Sequence, residues 1–212
     1  YLKAESFSSL KCTVFCGEPL PHVTAQAWHQ AAPLSKIFNL YGPTEATVGF
    51  TVYEWQAIDT DPIVKIGKPF PYQEIKLVRS ELYVRGSQVV AGYWQSPELN
   101  ARKFVKGWYK TGDLVAFDQS NNLIYHGRTD DQYQIKGYRV EKIDIENTLK
   151  KATGIDSIVV VPSPVDEHGR VLGVAAFMLK NPLTARDILK KIRSQVPSYM
   201  VPTAIYFLDN FF

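Results

Sequence analysis

Between residues 10 and 16 apolar and polar side chains alternate (Leu10, Lys11, Cys12, Thr13, Val14, Phe15, Cys16), the period-two pattern of a strand, and the run stops at Gly17-Glu18-Pro19. Residues 23–32 read as a helix ended by Pro33, and residues 36–40 as the next strand. Strand, helix and strand with short connections predict a parallel α/β unit. From residue 50 the pattern changes. Short extended runs at 50–53, 74–78 and 81–85, punctuated by Gly67-Lys68-Pro69 and Gly86, predict a small antiparallel β unit. Residues 97–104 read as a short helix, and residues 114–117 and 123–126 as a hairpin around the polar stretch 118–122. The remainder runs helix (142–153), strand (157–162), strand (171–179), helix (184–196), strand (204–208), a compact α+β unit. Ile143, Ile145, Leu149 and Ala152 are expected on one helical stripe and Ile188, Leu189 and Ile192 on another, with Thr184 capping the last helix.

Composition narrows the class. Apolar residues at 45% and charged residues at 21% suit a globular chain of one or two domains with a real core. The net charge of +3 is spread in both signs without a basic block, which argues against a nucleic-acid partner. The longest apolar stretch, from Val171 to Leu179, is about half of a membrane span, so none is expected. Cys12 and Cys16 share a face of their strand about 13 Å apart, too far for a disulfide. Two unpaired thiols fit a reducing compartment, and a cytoplasmic location is expected. They are too few for a metal cluster and are expected to line the core or a pocket. The chain opens on Tyr1 with neither an initiating Met nor a signal peptide, which reads as mid-domain sequence and as a fragment.

Candidate chemistry concentrates in residues 38–49, Phe-Asn-Leu-Tyr-Gly-Pro-Thr-Glu-Ala-Thr-Val-Gly. Pro43 fixes its own φ and biases Gly42 toward extended geometry, so a rigid turn between two extended segments is expected. It carries Asn39, Tyr41, Thr44 and Glu45. A hydroxyl beside a carboxylate suits a phosphate and its Mg²⁺, and the ring of Tyr41 suits a base. A surface turn with polar decoration is the competing reading of the same residues. Ligands of open parallel sheets bind beyond the carboxyl ends of the strands. Residues 17–19 and 39–45 are therefore expected on one rim, converging on one crevice.

The stretch Tyr41-Gly42-Pro43-Thr44-Glu45, followed by Ala46-Thr47-Val48, resembles the Tyr-Gly-Pro-Thr-Glu motif of the adenylate-forming enzymes. It is closest to their amino-acid-activating branch, the adenylation domains of non-ribosomal peptide synthetases and the D-alanine–carrier protein ligases. Further segments resemble the family in order: residues 81–94, with Ser80 where the family has Gly and a clipped preceding turn; Tyr109-Lys110-Thr111-Gly112-Asp113; Gly127-Arg128-Thr129-Asp130; residues 134–141, with Gln134 where Lys is usual; and residues 196–202. The resemblance implies the end of a large ATP-binding subdomain (1–129) followed by a small mobile α+β lid (130–212).

It also implies roles. Gly17, Glu18 and Pro19 would lie against the adenine, with Asn39, Leu40, Tyr41 and Gly42 across from them. Asp113 would bind the ribose hydroxyls, Tyr125 would lie beside the adenosine, and Arg128 would reach ribose and phosphates. Thr44, Glu45 and Arg128 would be catalytic, with Glu45 near Mg²⁺. Val14, Cys16, Leu40, Val48 and Gly49 would line the acyl pocket. Asp130 would be the hinge, and Lys136, Gly137 and Arg139 the thioester-forming loop, its Gly leaving room for a pantetheine arm.

The implied reaction takes ATP and a small neutral amino acid, D-alanine foremost, to an aminoacyl-AMP and then to the phosphopantetheine thiol of a carrier protein. The family's Gly-rich phosphate loop and C-terminal lysine fall outside these 212 residues, so the isolated chain is expected to be inactive. An acyl- or aryl-CoA ligase is the alternative within the class. A non-catalytic fragment that docks a carrier protein is the alternative outside it.

Overall fold

The computed structural model describes residues 3–167 and 170–210. The chain forms two compact units, residues 1–130 and 131–212. In the first, β1 (Cys12–Cys16), α1 (His22–Ala31) and β2 (Lys36–Tyr41) make the expected strand–helix–strand unit, β1 and β2 running parallel. Next come β3 (Thr51–Glu54) and β4 (Lys68–Pro69), which add antiparallel and complete a four-stranded sheet in the order β1-β2-β3-β4. The helix covers one face because Ala25 is small enough to seat it against Leu20, Ile37, Trp55 and Val64. On β1 that face takes Thr13 and Phe15, leaving Cys12, Val14 and Cys16 exposed. Of the two places expected for the thiols, core or pocket, the core is therefore corrected. Both cysteines are unpaired, and alternation put the larger Phe15 under the helix instead.

The rest of this unit is antiparallel: β5 (Glu74–Val78), β6 (Glu81–Arg85), α2 (Pro97–Lys103), β7 (Phe104–Val105), β8 (Trp108–Phe117) and β9 (Leu123–Arg128). The sheet order is β5-β6-β8-β7, with β9 on the other side of β8 by its own pairing. Arg79 and Ser80 both have positive φ, +51° and +66°, the two-residue turn that matches strand twist and closes β5 onto β6. Phe50, Leu82, Val84, Tyr109, Val115 and Leu123 fill the core beneath.

In the second unit β10 (Gln132–Ile135) and β11 (Tyr138–Glu141) form a hairpin where a loop was expected. The elements α3 (Lys142–Thr153), β12 (Ile158–Pro162), β13 (Val174–Leu179), α4 (Ala185–Ile192) and β14 (Ala204–Leu208) follow. β13 is central, antiparallel to β12 and parallel to β14, with α4 as the crossover. Ile145, Leu149, Ile188 and Ile192 pack both helices on Val160, Val174 and Met178. Ile143, expected on that stripe, is 51% exposed. Two residues from Ile145 is more than half a helical turn, and Glu146 takes the inward place instead. Thr184 caps α4 as expected: its hydroxyl accepts from the Asp187 N–H at 3.2 Å, and Asp187 accepts in return from the Thr184 N–H. No helix among the described residues is long and apolar enough to cross a membrane.

Candidate active site

Cys16 is in register with Leu40, so β1 and β2 end together and their outgoing turns share one rim. Gly17 leaves β1 with φ +99°, a conformation that favours glycine. Glu18 and Pro19 are half-buried as the chain turns to Leu20 in the core. Past β2 the chain folds back tightly. A Cβ on Gly42 would lie 2.5 Å from the Val48 carbonyl oxygen and 2.8 Å from the Phe50 nitrogen, so only glycine fits. Pro43 then serves as N-cap of a 3₁₀ turn, Thr44–Ala46. The rigid turn is thus partly helical, because Pro is excluded from helix interiors and not from their first turn. Thr44 is exposed and Glu45 is buried at 7%. The Tyr93 hydroxyl donates to Glu45 Oε1, and the Glu45 carbonyl accepts from the Val90 N–H at 2.8 Å.

Thr47 and Val48 follow with φ of +55° and +69°. The left-handed region costs an L-residue about 1–2 kcal/mol, and two β-branched residues occupy it in succession. The neighbouring loop holds them there: Thr47 Oγ1 donates to the Gln88 carbonyl at 2.7 Å, and Gln88 Nε2 donates to the Gly49 carbonyl at 2.9 Å. Val48 is left 60% exposed, with its carbonyl 4.0 Å from Cys16 Sγ. A Cβ on Gly49 would come within 3.1 Å of Leu40 Cδ2. Cys16, Leu40, Val48 and Gly49 are therefore neighbours, and Val14 lies one alternation back on the same exposed face of β1.

Asn39 does not take part in this rim. It is buried at 2%, and its amide donates to the carbonyls of Val64 (3.2 Å) and Lys65 (2.9 Å). Its position on β2 aims it into the sheet's interior, where it ties down the 64–65 segment. The expectation of a nucleotide contact from its side chain is corrected accordingly.

The second half of the site comes from β8 and β9. The β6–β8 register shifts between Glu81 and Tyr83, so that the Thr111-Gly112-Asp113 segment bulges from the ladder. Thr111 Oγ1 holds the bulge, donating to the Leu82 carbonyl at 2.7 Å and accepting from the Asp113 N–H at 3.0 Å. Gly112 has φ +79°, and a Cβ there would meet Asp130 Oδ2 at 2.6 Å and Arg128 Nη2 at 2.7 Å. On β9 a second register shift, between Leu114 and Val115, sets Arg128 opposite Asp113. Bulges of this kind re-aim side chains beside functional sites.

The result is a polar network. Arg128 Nη1 donates to Asp113 Oδ1 at 2.5 Å, and Arg128 Nε and Nη2 donate to the two Asp130 oxygens at 2.7 and 2.9 Å. The Tyr41 hydroxyl donates to Asp113 Oδ2, joining the turn after β2 to the bulge of β8. Lys103 Nζ reaches Asp130 Oδ2 at 3.3 Å. Burial alone would raise the Asp130 pKa, but the Arg128 hydrogen bonds and charge outweigh it and hold the carboxyl below its usual range. Burial, and then the charge and hydrogen bond of Asp113, push Tyr41 well above the usual phenol. Tyr125 is pushed up to about 12 by burial first and the Asp113 charge second. Arg128, expected to reach toward ribose and phosphates, here spends its fork on two carboxylates and on the Thr111 carbonyl at 3.1 Å.

Among the described residues no three His, Cys, Asp or Glu side chains cluster as a metal cage. The donor set at the turn is one buried carboxylate, Glu45, beside the Thr44 hydroxyl. Hard oxygens in that number fit Mg²⁺, which is usually held by one or two carboxylates together with substrate phosphates.

In the second unit, Lys136 and Gly137 form the turn of the β10–β11 hairpin at φ +52° and +81°, both exposed. Arg139 Nε donates to Gln132 Oε1 at 2.9 Å across that hairpin. Gln134 has its Oε1 buried with no hydrogen-bond partner among the described residues. Sequence reading gave no role to Tyr93, Lys103 or the Thr111 hydroxyl. Thr111 and Tyr93 lie inside segments already singled out. Lys103 is 27 residues from its partner, and nothing local marks it.

The sequence matches the AMP-binding enzyme family over residues 2–94 and the AMP-binding enzyme C-terminal domain over residues 144–211. It is 31% identical to the D-alanine–D-alanyl carrier protein ligase of Lacticaseibacillus rhamnosus, over 98% of this chain and 46% of that protein. It is 31% identical to tyrocidine synthase 3 of Brevibacillus parabrevis, over 96% of this chain and 3% of that much longer protein. The chain thus spans less than half the length of the curated relatives it matches. Among solved structures, the Vibrio cholerae adenylation domain AlmE in complex with glycyl-adenosine-5'-phosphate superposes with a TM-score of 0.89 at 31% identity, covering 99% of this chain and 43% of that one. With both family matches in chain order and a relative's fold superposing along nearly its whole length, the chain belongs to the AMP-binding, adenylate-forming enzyme family.

Proposed function

We propose that this sequence carries the ribose-binding, metal-binding and carrier-facing parts of an ATP-dependent amino acid adenylating ligase. The observation that supports it most is the Tyr41–Asp113–Arg128 network, which draws the turn after β2 and the bulge of β8 to one place. A buried carboxylate backed by a guanidinium accepts the two O–H groups of a ribose as charge-assisted hydrogen bonds. Tyr41 and Tyr125 would offer rings to the base, and Gly17, Glu18, Pro19, Leu40 and Gly42 would supply backbone to the nucleotide. Glu45 would hold Mg²⁺, whose charge offsets that of the phosphates. Thr44, exposed on the same turn, would donate to a phosphate oxygen.

The acyl group would lie against Val14, Cys16, Leu40, Val48 and Gly49. These residues bring no charge, so a small neutral amino acid fits. The likeness to a D-alanine ligase and to an adenylation domain seen with glycyl-AMP supports D-alanine and glycine as the first substrates to try. Asp130 and Asp131 lie where the two compact units meet in sequence, which supports the hinge reading of Asp130. After the hinge, the exposed Lys136–Gly137 turn, with Arg139 behind it, would face a carrier's phosphopantetheine.

The test is ATP–pyrophosphate exchange by the full-length protein containing these residues, across glycine, D-alanine, L-alanine and other small neutral amino acids. Exchange with one of them is expected. Silence with all, in a protein that calorimetry shows to bind no ATP, overturns the reading.

A further inference from the structure

We infer that Tyr93 is a positioning residue for the metal-binding carboxylate of Glu45, an inference that rests on the function proposed above. The Tyr93 hydroxyl donates to Glu45 Oε1 and lies 3.3 Å from the Tyr109 hydroxyl. Tyr109 itself is fully buried in the core. Tyr93 does not reach Glu45 by chance of a mobile loop. Its own N–H donates to Asn100 Oδ1 at 2.7 Å, and its carbonyl accepts from Asn100 Nδ2 at 2.9 Å, so one α2 side chain grips both sides of its backbone. Gly92 just before it has φ +152°, with a built Cβ only 3.0 Å from the Asn100 amide, so the loop passes where a side chain would press on that grip. The ring packs edge-on against Phe104, centroids 5.6 Å apart.

The same loop meets the Glu45 turn three more times. Val90 N–H bonds the Glu45 carbonyl, the Gln88 carbonyl accepts from Thr47, and the Gln88 amide bonds the Gly49 carbonyl. These contacts hold the turn, and the Tyr93 hydroxyl bonds the carboxylate itself. A glutamate on a short turn has three side-chain torsions to settle. A hydrogen bond to one oxygen, itself anchored to the core, fixes the direction in which the group is presented. Groups that orient a metal ligand in this way change metal affinity by about 10–100-fold when removed.

The experiment is a cycle of Tyr93→Phe and Glu45→Gln in the full-length protein, read by Mn²⁺ binding in the presence of ATP (electron paramagnetic resonance) and by the metal dependence of pyrophosphate exchange. Tyr93→Phe keeps the ring on Phe104 and removes only the hydroxyl. The expected result is an Mn²⁺ affinity about tenfold weaker, with a matching rise in the half-saturating metal concentration of exchange. In the Glu45→Gln background the Tyr93→Phe effect is expected to vanish, because the charge being aimed is gone. If Tyr93→Phe folds poorly, Tyr109→Phe removes the hydroxyl behind it and is expected to weaken Mn²⁺ binding in the same direction. Unchanged Mn²⁺ affinity with either hydroxyl removed makes Tyr93 a structural contact and overturns the inference. Normal exchange with metal binding insensitive to Glu45→Gln overturns it as well. A wild-type protein with neither exchange nor ATP-dependent Mn²⁺ binding removes the proposed function first, and the inference with it.

Discussion

Asp113 in the first unit is buried among a guanidinium, a tyrosine hydroxyl and a backbone bulge; Glu146 in the second is buried against a strand. Glu146 accepts from the Val160 N–H at 3.0 Å and lies 3.8 Å from Lys142, stitching α3 to β12. One carboxylate oxygen serves one backbone donor, and the surrounding core is aliphatic. Asp113 is partnered beyond what its backbone needs. Tyr41, Arg128 and Thr111 converge on its segment from three elements, and two ladders are broken to bring them there. A carboxylate that completes a ladder is part of the fold, whereas one for which ladders are broken is the reason for the local fold.

The glycines beside these groups give the largest expected contrast. Gly112 and Gly154, the cap after α3, share nearly the same φ, +79° and +73°. A Cβ on Gly154 meets nothing within 4 Å, while one on Gly112 collides with Arg128 and Asp130. Gly154→Ala is expected to lose about 1–2 kcal/mol from backbone strain alone. Gly112→Ala is expected to lose about 2–5 kcal/mol, since overpacking adds about 1–3. Urea denaturation of both variants decides it, and equal losses would erase the contrast.

Next in size is the test of charge against shape. Asp113→Asn leaves an acceptor but removes the partner of a buried guanidinium, and is expected to cost about 1.5–3 kcal/mol, along with at least tenfold in exchange by the full-length protein. Glu146→Gln also leaves an acceptor for Val160 and is expected to cost less, about 0.5–1.5 kcal/mol. If Glu146→Gln proved the more damaging, the distinction between the two carboxylates would fail.

The third lever is pH, and it acts only in alkaline solution. Tyr125 ionises at about 12 in the fold and near 10 when unfolded, because burial and Asp113 oppose its charge. Its raised pKa means that the unfolded chain loses the proton first. The stabilisation is complete below pH 10 and is lost as pH rises toward 12, about 2–3 kcal/mol in all. Tyr125→Phe is expected to reduce the alkaline fall in denaturation midpoint between those values, with Tyr41 and Tyr53 supplying the remainder. Tyr133→Phe, in the second unit and far in sequence from Asp113, is expected to leave most of the slope in place.

Much of the fold was readable because its signals are local. Alternation marked β1, periodicity placed Leu149 and Ile188 inward, and the Thr184 cap announced α4. The misses are tertiary. Nothing in the order of β1 says which of its faces the helix takes, so core and pocket stayed open for Cys12 and Cys16, and Phe15 took the core. Asn39 read as a rim residue because its neighbours in sequence are rim residues, while its direction is set by β2. The chemistry of residues 41–45 and 111–113 could be suspected from residue types and resemblance. Arg128's commitment to Asp113 and Asp130 could not, because it depends on two register shifts that no short window contains.

Thr47 and Val48 sit in the left-handed region, fastened from behind by Gln88, with the Val48 side chain turned outward. The fastening is made by the Thr47 hydroxyl and the Gln88 amide, and the Val48 side chain supports neither it nor the strain. Val48 can therefore be exchanged in the course of descent without endangering the scaffold. A lineage built this way can revise what it accepts one substitution at a time while the Glu45 turn a few residues away stays fixed.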